Sequence, residues 1–270
     1  MLKNKTFAFI GTGNMGGAVA TAVARAVDGS KILLNNRTQE KALALAEKLN
    51  ARVVTGPEAA ARADYLFLGV KPHLMAGVLA DLHGALAARS TPCALVTMAA
   101  GLTMAQIRQL AGVDFPVIRI MPNIPAAVGE GVVMYCHDGA DAETLADFTE
   151  AMVGAGLLDR VDEGLIDAGS AVAGCGPAYA AVLIDALADG GVACGLPRPK
   201  AIAYAAQMLK GAAEMCLRTG QHPGQLKDAV CSPGGTTIQG VRALENGGFR
   251  GAAIEAVIAA YEKTLALNRK

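Results

Sequence analysis

The run Cys231-Ser232-Pro233-Gly234-Gly235-Thr236-Thr237 gathers hydrogen-bond donors, with little side-chain bulk, just ahead of a helical stretch. Pro233, Gly234 and Gly235 lead nearly bare backbone to the helix start, where the N–H groups of Gly235, Thr236 and Thr237 are expected to lack partners and converge. That arrangement receives a small anion, and a carboxylate suits it. The hydroxyls of Ser232, Thr236 and Thr237 both donate and accept, so one of them can also reach a second polar atom of the same ligand. The competing reading is a plain helix cap, the ordinary use of Ser and Thr at such a position.

A second constellation stands at the other end of the chain. Thr6-Phe7-Ala8-Phe9-Ile10 reads as a short apolar strand running into Gly11-Thr12-Gly13-Asn14-Met15-Gly16 and then an Ala/Val-rich helix. In that setting Gly11 permits the tight turn, Gly13 lets backbone approach a pyrophosphate, and Gly16 lets helix and strand pack closely. Asn14 and Met15 open the helix whose N-terminus faces the phosphates. The second strand ends in Asn35-Asn36-Arg37-Thr38, without the acid that would hold a ribose 2′-hydroxyl. Asn36, Arg37 and Thr38 offer a positive charge and several donors to a 2′-phosphate, so NADPH is the expected cofactor and NADH the alternative. The bland reading makes Arg37 a solvated side chain and Thr38 a helix cap.

These motifs need a scaffold, and the pattern of the chain supplies one. Strands are expected near 6–10, 31–35, 52–54, 65–70, 94–98 and 117–121, with amphipathic helical segments between the earlier ones. Two more strands, near 131–136 and 157–161, flank a helix at 141–154. This alternation predicts an α/β Rossmann domain, a doubly wound parallel sheet, over 1–162. Residues 163–270 read as all-helical, with long segments at 177–194, 198–218, 236–245 and 250–267. Strands four, five and six then end in Val70-Lys71-Pro72, Ala99-Ala100-Gly101 and Pro122-Asn123, all at the edge where open α/β sheets bind ligands. Asn123, between two prolines, is expected to be free to address the nicotinamide amide. Lys71 reads equally well as a surface lysine.

Composition narrows the partners. The 270 residues carry 24 basic and 24 acidic side chains, which favours neither nucleic acid nor an anionic membrane. No apolar run of about 18 residues is uninterrupted, and Met1-Leu2-Lys3-Asn4-Lys5 leads into a strand. A cytoplasmic enzyme is expected. The six cysteines and four histidines are scattered without CxxC or HExxH spacing, so no metal is predicted.

Taken in order, these motifs resemble the pyrroline-5-carboxylate reductases. The resemblance also rests on Met98-Ala99-Ala100-Gly101-Leu102, Arg119-Ile120-Met121-Pro122-Asn123-Ile124-Pro125 and Gly174-Cys175-Gly176-Pro177-Ala178-Tyr179, and it spans essentially the whole chain. Ile124 stands where that family commonly has Thr, and Cys175 where it commonly has Ser. The resemblance implies reduction of the cyclic imine 1-pyrroline-5-carboxylate to L-proline by NADPH, the last step of proline biosynthesis. It implies further that Ser232, Gly235, Thr236 and Thr237 hold the substrate carboxylate, and that the Thr237 hydroxyl, as catalytic residue, reaches the ring nitrogen. It makes the helical part a dimerisation domain, giving a homodimer or a larger assembly of dimers. Two alternatives stay open. A β-hydroxyacid dehydrogenase would carry a catalytic Lys on the helix beginning at Pro177, which has none, and a non-catalytic NADP sensor would have no use for the anion loop.

Overall fold

The computed structural model describes residues 2–268. Their contacts form two compact units, 2–175 together with 260–268, and 176–259. In the first unit β1 (Phe7–Ile10), β2 (Ile32–Asn35), β3 (Arg52–Val53), β4 (Tyr65–Leu68), β5 (Ala94–Thr97), β6 (Val117–Met121), β7 (Gly131–Asp138) and β8 (Gly156–Arg160) lie close to where the sequence pattern placed them. They form one sheet ordered β3-β2-β1-β4-β5-β6-β7-β8. The helices between them are α1 (Asn14–Val23), α2 (Gln39–Leu49), α3 (Gly56–Arg62), α4 (Met75–Ala87), α5 (Met104–Ala111) and α6 (Ala142–Met152), followed by the single turn α7 (Ile166–Gly169).

The inner strands are apolar throughout because helices cover both faces of the sheet. On β1, Phe7 and Phe9 pack on one side with Val19 and Val23 of α1, while Ala8 and Ile10 face the layer of α3 and α4. Phe7 stacks on Tyr65 with ring centroids 4.9 Å apart, and Phe9 on Phe67 at 4.5 Å. Each such ring, fully buried, contributes roughly 1.5–3 kcal/mol. All pairings from β3 to β6 are parallel. A short connection with a 3-10 turn at Ile124–Val128 cannot cross over the sheet, so β7 returns antiparallel to β6, and β8 pairs parallel to β7 through α6. The parallel sheet expected from the pattern therefore carries one antiparallel step near its edge.

Beyond β8 the chain is tied back to the sheet. Arg119 on β6 is buried and binds Glu163 (3.3 Å) and Asp167 (2.9 Å), while Glu163 also accepts the N–H of Met104 at the head of α5. A π-helical segment follows at Ser170–Gly174. The sequence pattern put a boundary at 162; in contact terms residues 163–175 stay with the sheet.

The second unit is helical. It holds α8 (Gly176–Ala193), α9 (Arg198–Thr219), α10 (Pro223–Ala229), α11 (Thr236–Asn246) and the first part of α12 (Phe249–Asn268). Ala188, Ala201 and Ala205 are buried where α8 packs along α9, and the Tyr179 hydroxyl donates to the Ala256 carbonyl at 3.1 Å. Helix α10 has no counterpart in the sequence reading. Pro223-Gly224 looks like a break, yet the His222 side chain caps the helix and Gln225 closes a capping box.

His137 of β7 has both ring nitrogens buried without a hydrogen-bond partner among the described residues. Burial, and secondarily the Arg160 cation, push its pKa below the ordinary 6.5, against the opposing pull of Asp138. The folded state thus favours neutral imidazole. Its contribution to stability is complete above the unfolded-state value and is lost as pH falls below it. Melting temperature is expected to drop between about pH 7 and about pH 5, and to drop less in His137→Phe. Parallel losses in both proteins would assign the acid sensitivity to other groups.

Candidate functional site

Five loops leave the C-terminal ends of neighbouring parallel strands, β2, β1, β4, β5 and β6, and so share one edge of the first unit. After β1, Gly11 takes φ +91° and its N–H donates to the Asn35 carbonyl at 2.8 Å. A Cβ on Gly16 would lie 2.0 Å from the Gly11 carbonyl oxygen, and one on Gly69 would lie 2.4 Å from the same atom. Gly13 differs. Its φ of −68° suits any residue, and nothing stands within 4 Å of where its Cβ would be. That emptiness is a cradle that a side chain would fill. Gly13 also caps α1 without any side-chain acceptor, leaving the first N–H groups of the helix to an external anion.

Thr12, between the first two glycines, is 6% exposed, and its hydroxyl has no hydrogen-bond partner among the described residues. Its N–H donates to the Asn36 side-chain carbonyl at 3.1 Å, and the Asn36 amide nitrogen donates to the Thr38 carbonyl at 3.0 Å. Asn36 therefore laces the loop after β1 to the loop after β2. Arg37 beside it is exposed and makes no ion pair among the described residues, and Thr38 begins α2 without a side-chain cap. A cavity of about 440 Å³ opens there, lined by Asn35, Asn36, Arg37, Val54, Thr55 and Glu58 among others. An empty cradle, an orphaned hydroxyl and an unpaired guanidinium together fit a phosphate-bearing dinucleotide.

The other three loops behave unequally. Val70-Lys71-Pro72 leads into a 3-10 turn with Lys71 exposed at its head, and Gly101 turns at φ +79° behind Ala99 and Ala100. Pro122 and Asn123 are buried. Here one expectation is corrected: the Asn123 side chain is not free. Its amide nitrogen donates to the Ala173 carbonyl, and its oxygen accepts the Val132 N–H, both at 2.9 Å. Asn123 is a clamp joining the end of β6 to the start of β7 and to the π-helical segment. Gly69, by contrast, was missed. Its requirement arises from segments distant in sequence, and its one signal is a glycine directly after a strand.

In the second unit, Ser232 to Gly235 form a turn closed by the Gly235 N–H donating to the Ser232 carbonyl at 3.0 Å, with Gly234 at φ +68°. Pro at the second position and a positive-φ Gly at the third make it a type II turn. The expected donor set is corrected accordingly. The Gly235 N–H is consumed by the turn, and the free first-turn donors are those of Thr236, Thr237 and Ile238. Gly235 is the N-cap residue of α11, and no side chain caps that helix. The Ser232, Thr236 and Thr237 hydroxyls make no hydrogen bond among the described residues, and all three side chains are exposed. Neither Ser nor Thr spends its oxygen as a plain cap would. With no acid in the first turn of α11, the site holds donors and a positive dipole end, suited to a carboxylate.

Residues 163–267 match the family described as pyrroline-5-carboxylate reductase dimerisation, and residues 6–100 match one described as NADP oxidoreductase, coenzyme F420-dependent. The chain is 39% identical to the pyrroline-5-carboxylate reductase of Pisum sativum, over 97% of this chain and 96% of that protein. It is 38% identical to the enzyme of that name from Escherichia coli, over 98% and 99%. The crystal structure of Plasmodium falciparum pyrroline carboxylate reductase with NADP bound superposes with a TM-score of 0.86 at 28% identity, covering 99% of this chain and all of that one.

The open space at Gly13 leads to a test that separates binding from folding. Gly13→Ala meets nothing in the fold, so unfolding free energy is expected to change by no more than about 1 kcal/mol, the difference between Gly and Ala as helix caps. The added methyl instead enters the space a pyrophosphate needs, and NADPH affinity measured by calorimetry is expected to fall about tenfold or more. Unchanged affinity would remove Gly13 from the cradle.

Proposed function

Because the chain belongs to the pyrroline-5-carboxylate reductase family, we infer that it reduces 1-pyrroline-5-carboxylate to L-proline with NADPH, completing proline biosynthesis. The observation that carries this reading is full-length similarity to two reductases of that name, with the dinucleotide edge and the uncapped anion turn in their expected order. NADPH consumption that depends on pyrroline-5-carboxylate, with proline identified as product, tests it. A β-hydroxyacid dehydrogenase is not favoured, since α8 contains no lysine. A sensor without turnover is not favoured by the relatives.

When bound, the cofactor supplies hydride, which the imine carbon accepts. The residues of this chain hold and orient. Gly11, Gly13, Asn14, Met15 and Gly16 would carry the pyrophosphate, and Asn36, Arg37 and Thr38 the adenosine end. Val70, Lys71, Pro72, Ala99, Ala100, Gly101 and Pro122 would form the nicotinamide edge, supported from behind by Asn123. The turn from Ser232 through Gly234 and Gly235 would present the Thr236 and Thr237 N–H groups to the substrate carboxylate. Each charge-assisted hydrogen bond there is worth about 1.5–3 kcal/mol. The ring nitrogen enters protonated, as iminium, and leaves as the amine, so no strong acid is required. The Thr237 hydroxyl orients that nitrogen and can accept its proton in a hydrogen bond.

Apolar surface on the second unit supports a homodimer, or an assembly of dimers. Val182, Leu217 and Ile254 are 71%, 75% and 60% exposed. The helical stretch Glu163–Ala193 contains an 18-residue window with a mean hydropathy of 1.6 and has the length to cross a membrane, but it lies inside the region matched to a dimerisation family, so a second copy of the chain is the proposed cover. Six free cysteines support a reducing, cytoplasmic setting.

Two outcomes are expected. Thr237→Ala should lower kcat by about 10- to 100-fold, the low end for a positioned polar group, while NADPH affinity stays at the wild-type value. Unchanged turnover would leave Thr237 a structural residue. Sedimentation should find a dimer or larger species at assay concentration, and a fully active monomer would overturn the assembly proposed.

A further inference from the structure

A second cavity, of about 430 Å³, lies on the other side of the Asn36 lacing, with Thr12, Gly13, Asn14, Lys41 and Lys48 in its wall. Two lysines and no acid face it. Neither lysine makes an ion pair with a described residue. Thr12 adds the buried hydroxyl that has no partner among the described residues. We propose that Lys41, together with the Thr12 hydroxyl, completes the subsite for the 2′-phosphate of the dinucleotide and so decides between NADPH and NADH.

The argument rests on the dinucleotide reading above and adds residues to it. Asn36 fixes where a 2′-phosphate can lie, because its side chain touches both Thr12 and Thr38. The Lys41 N–H donates to the Thr38 carbonyl at 3.2 Å, which places Lys41 in the first turn of α2, and Lys41 lines the cavity. Arg37 lines the neighbouring cavity instead. The two cations thus flank the Asn36–Thr38 loop from opposite sides. A phosphate monoester carries between one and two negative charges at neutral pH, roughly −1.5 to −2. Arg37 alone leaves part of that charge unbalanced; Lys41 balances the rest. The pyrophosphate makes no such demand, since the uncapped start of α1 already faces it. Lys48 sits near the far end of α2, some two turns from Lys41, and serves as a control.

The test needs no turnover. Wild type, Lys41→Gln, Lys41→Arg, Thr12→Val and Lys48→Gln are titrated by calorimetry with adenosine 2′,5′-bisphosphate and with 5′-AMP. Lys41→Gln is expected to weaken the bisphosphate about tenfold and to leave 5′-AMP within about twofold, with Lys41→Arg restoring most of the loss. Thr12→Val should weaken the bisphosphate by a smaller factor, again sparing 5′-AMP, and Lys48→Gln should change neither. Equal losses for both ligands in Lys41→Gln, or no loss for either, would overturn the assignment. Failure of the reductase reading would show elsewhere, as absent NADPH consumption with pyrroline-5-carboxylate, while these titrations still return their answer.

Discussion

The first unit depends on one close approach of backbone to backbone. Gly11, Gly16 and Gly69 crowd around a single carbonyl oxygen, that of Gly11, with no room for a methyl on either Gly16 or Gly69. Their contact brings the start of α1 against the ends of β1 and β4, the two strands between which the order of the sheet reverses. Everything on the dinucleotide edge inherits its position from this junction. It aims the unsatisfied N–H groups of α1 outward, and it sets the β1 loop within reach of Asn36, which then carries the β2 loop with it. Burial of the Phe7, Phe9, Tyr65 and Phe67 rings below holds the strands that the junction joins.

Helix starts sort into two kinds in this protein. Thr55, Thr103, Asp141 and His222 each give a side-chain acceptor to the first turn of the helix they precede. Helices α1, α2 and α11, at the proposed ligand sites, receive none, and neither do α4, α7 and α9, whose N-cap residues Leu74, Leu165 and Pro197 have no side-chain acceptor to give. With Gly13 and Gly235 at the N-cap, α1 and α11 each forgo only about a few tenths of a kcal/mol relative to a Ser, Thr, Asp or Asn cap. The same withheld oxygen leaves donors available to phosphate or carboxylate, and the hydroxyls of Thr12, Thr236 and Thr237 stay unspent beside them. Charge is distributed in the same spirit, with Arg37 and Lys41 unpaired among the described residues at the edge while the buried Arg119 is committed to Glu163 and Asp167.

Features set by neighbours in sequence were legible in the sequence. The strands, the glycine fingerprint and the long helices were read from local periodicity and lie close to the expected positions. Features set by distant segments were not. Asn123 looked available because its flanking prolines offer nothing to bind, but Val132 and Ala173 reach it from elsewhere in the chain. Gly69 matters through contacts with Gly11 and Gly16, and the reversal at β7 follows from a connection too short to cross the sheet. The engagement of the Gly235 N–H was a different failure. Pro233-Gly234 is itself the signature of the turn that consumes that donor, but it was read for its scarcity of side chains and not for the hydrogen bond that closes the turn.

The turn ahead of α11 has a property that concerns handedness more than room. Gly234 takes φ +68°, yet a Cβ built there would meet nothing within 4 Å. An L-side chain is disfavoured at that position by the chirality of its own backbone, while a D-residue would be at ease. The shape of the proposed carboxylate cup is thus guarded by stereochemistry, independently of how large its ligand is. Changes of ligand size leave that guard untouched, whereas L-residues other than Gly and Asn are disfavoured at position 234 whatever the substrate. The recognition of the anion and the accommodation of the ring are in this way separately evolvable.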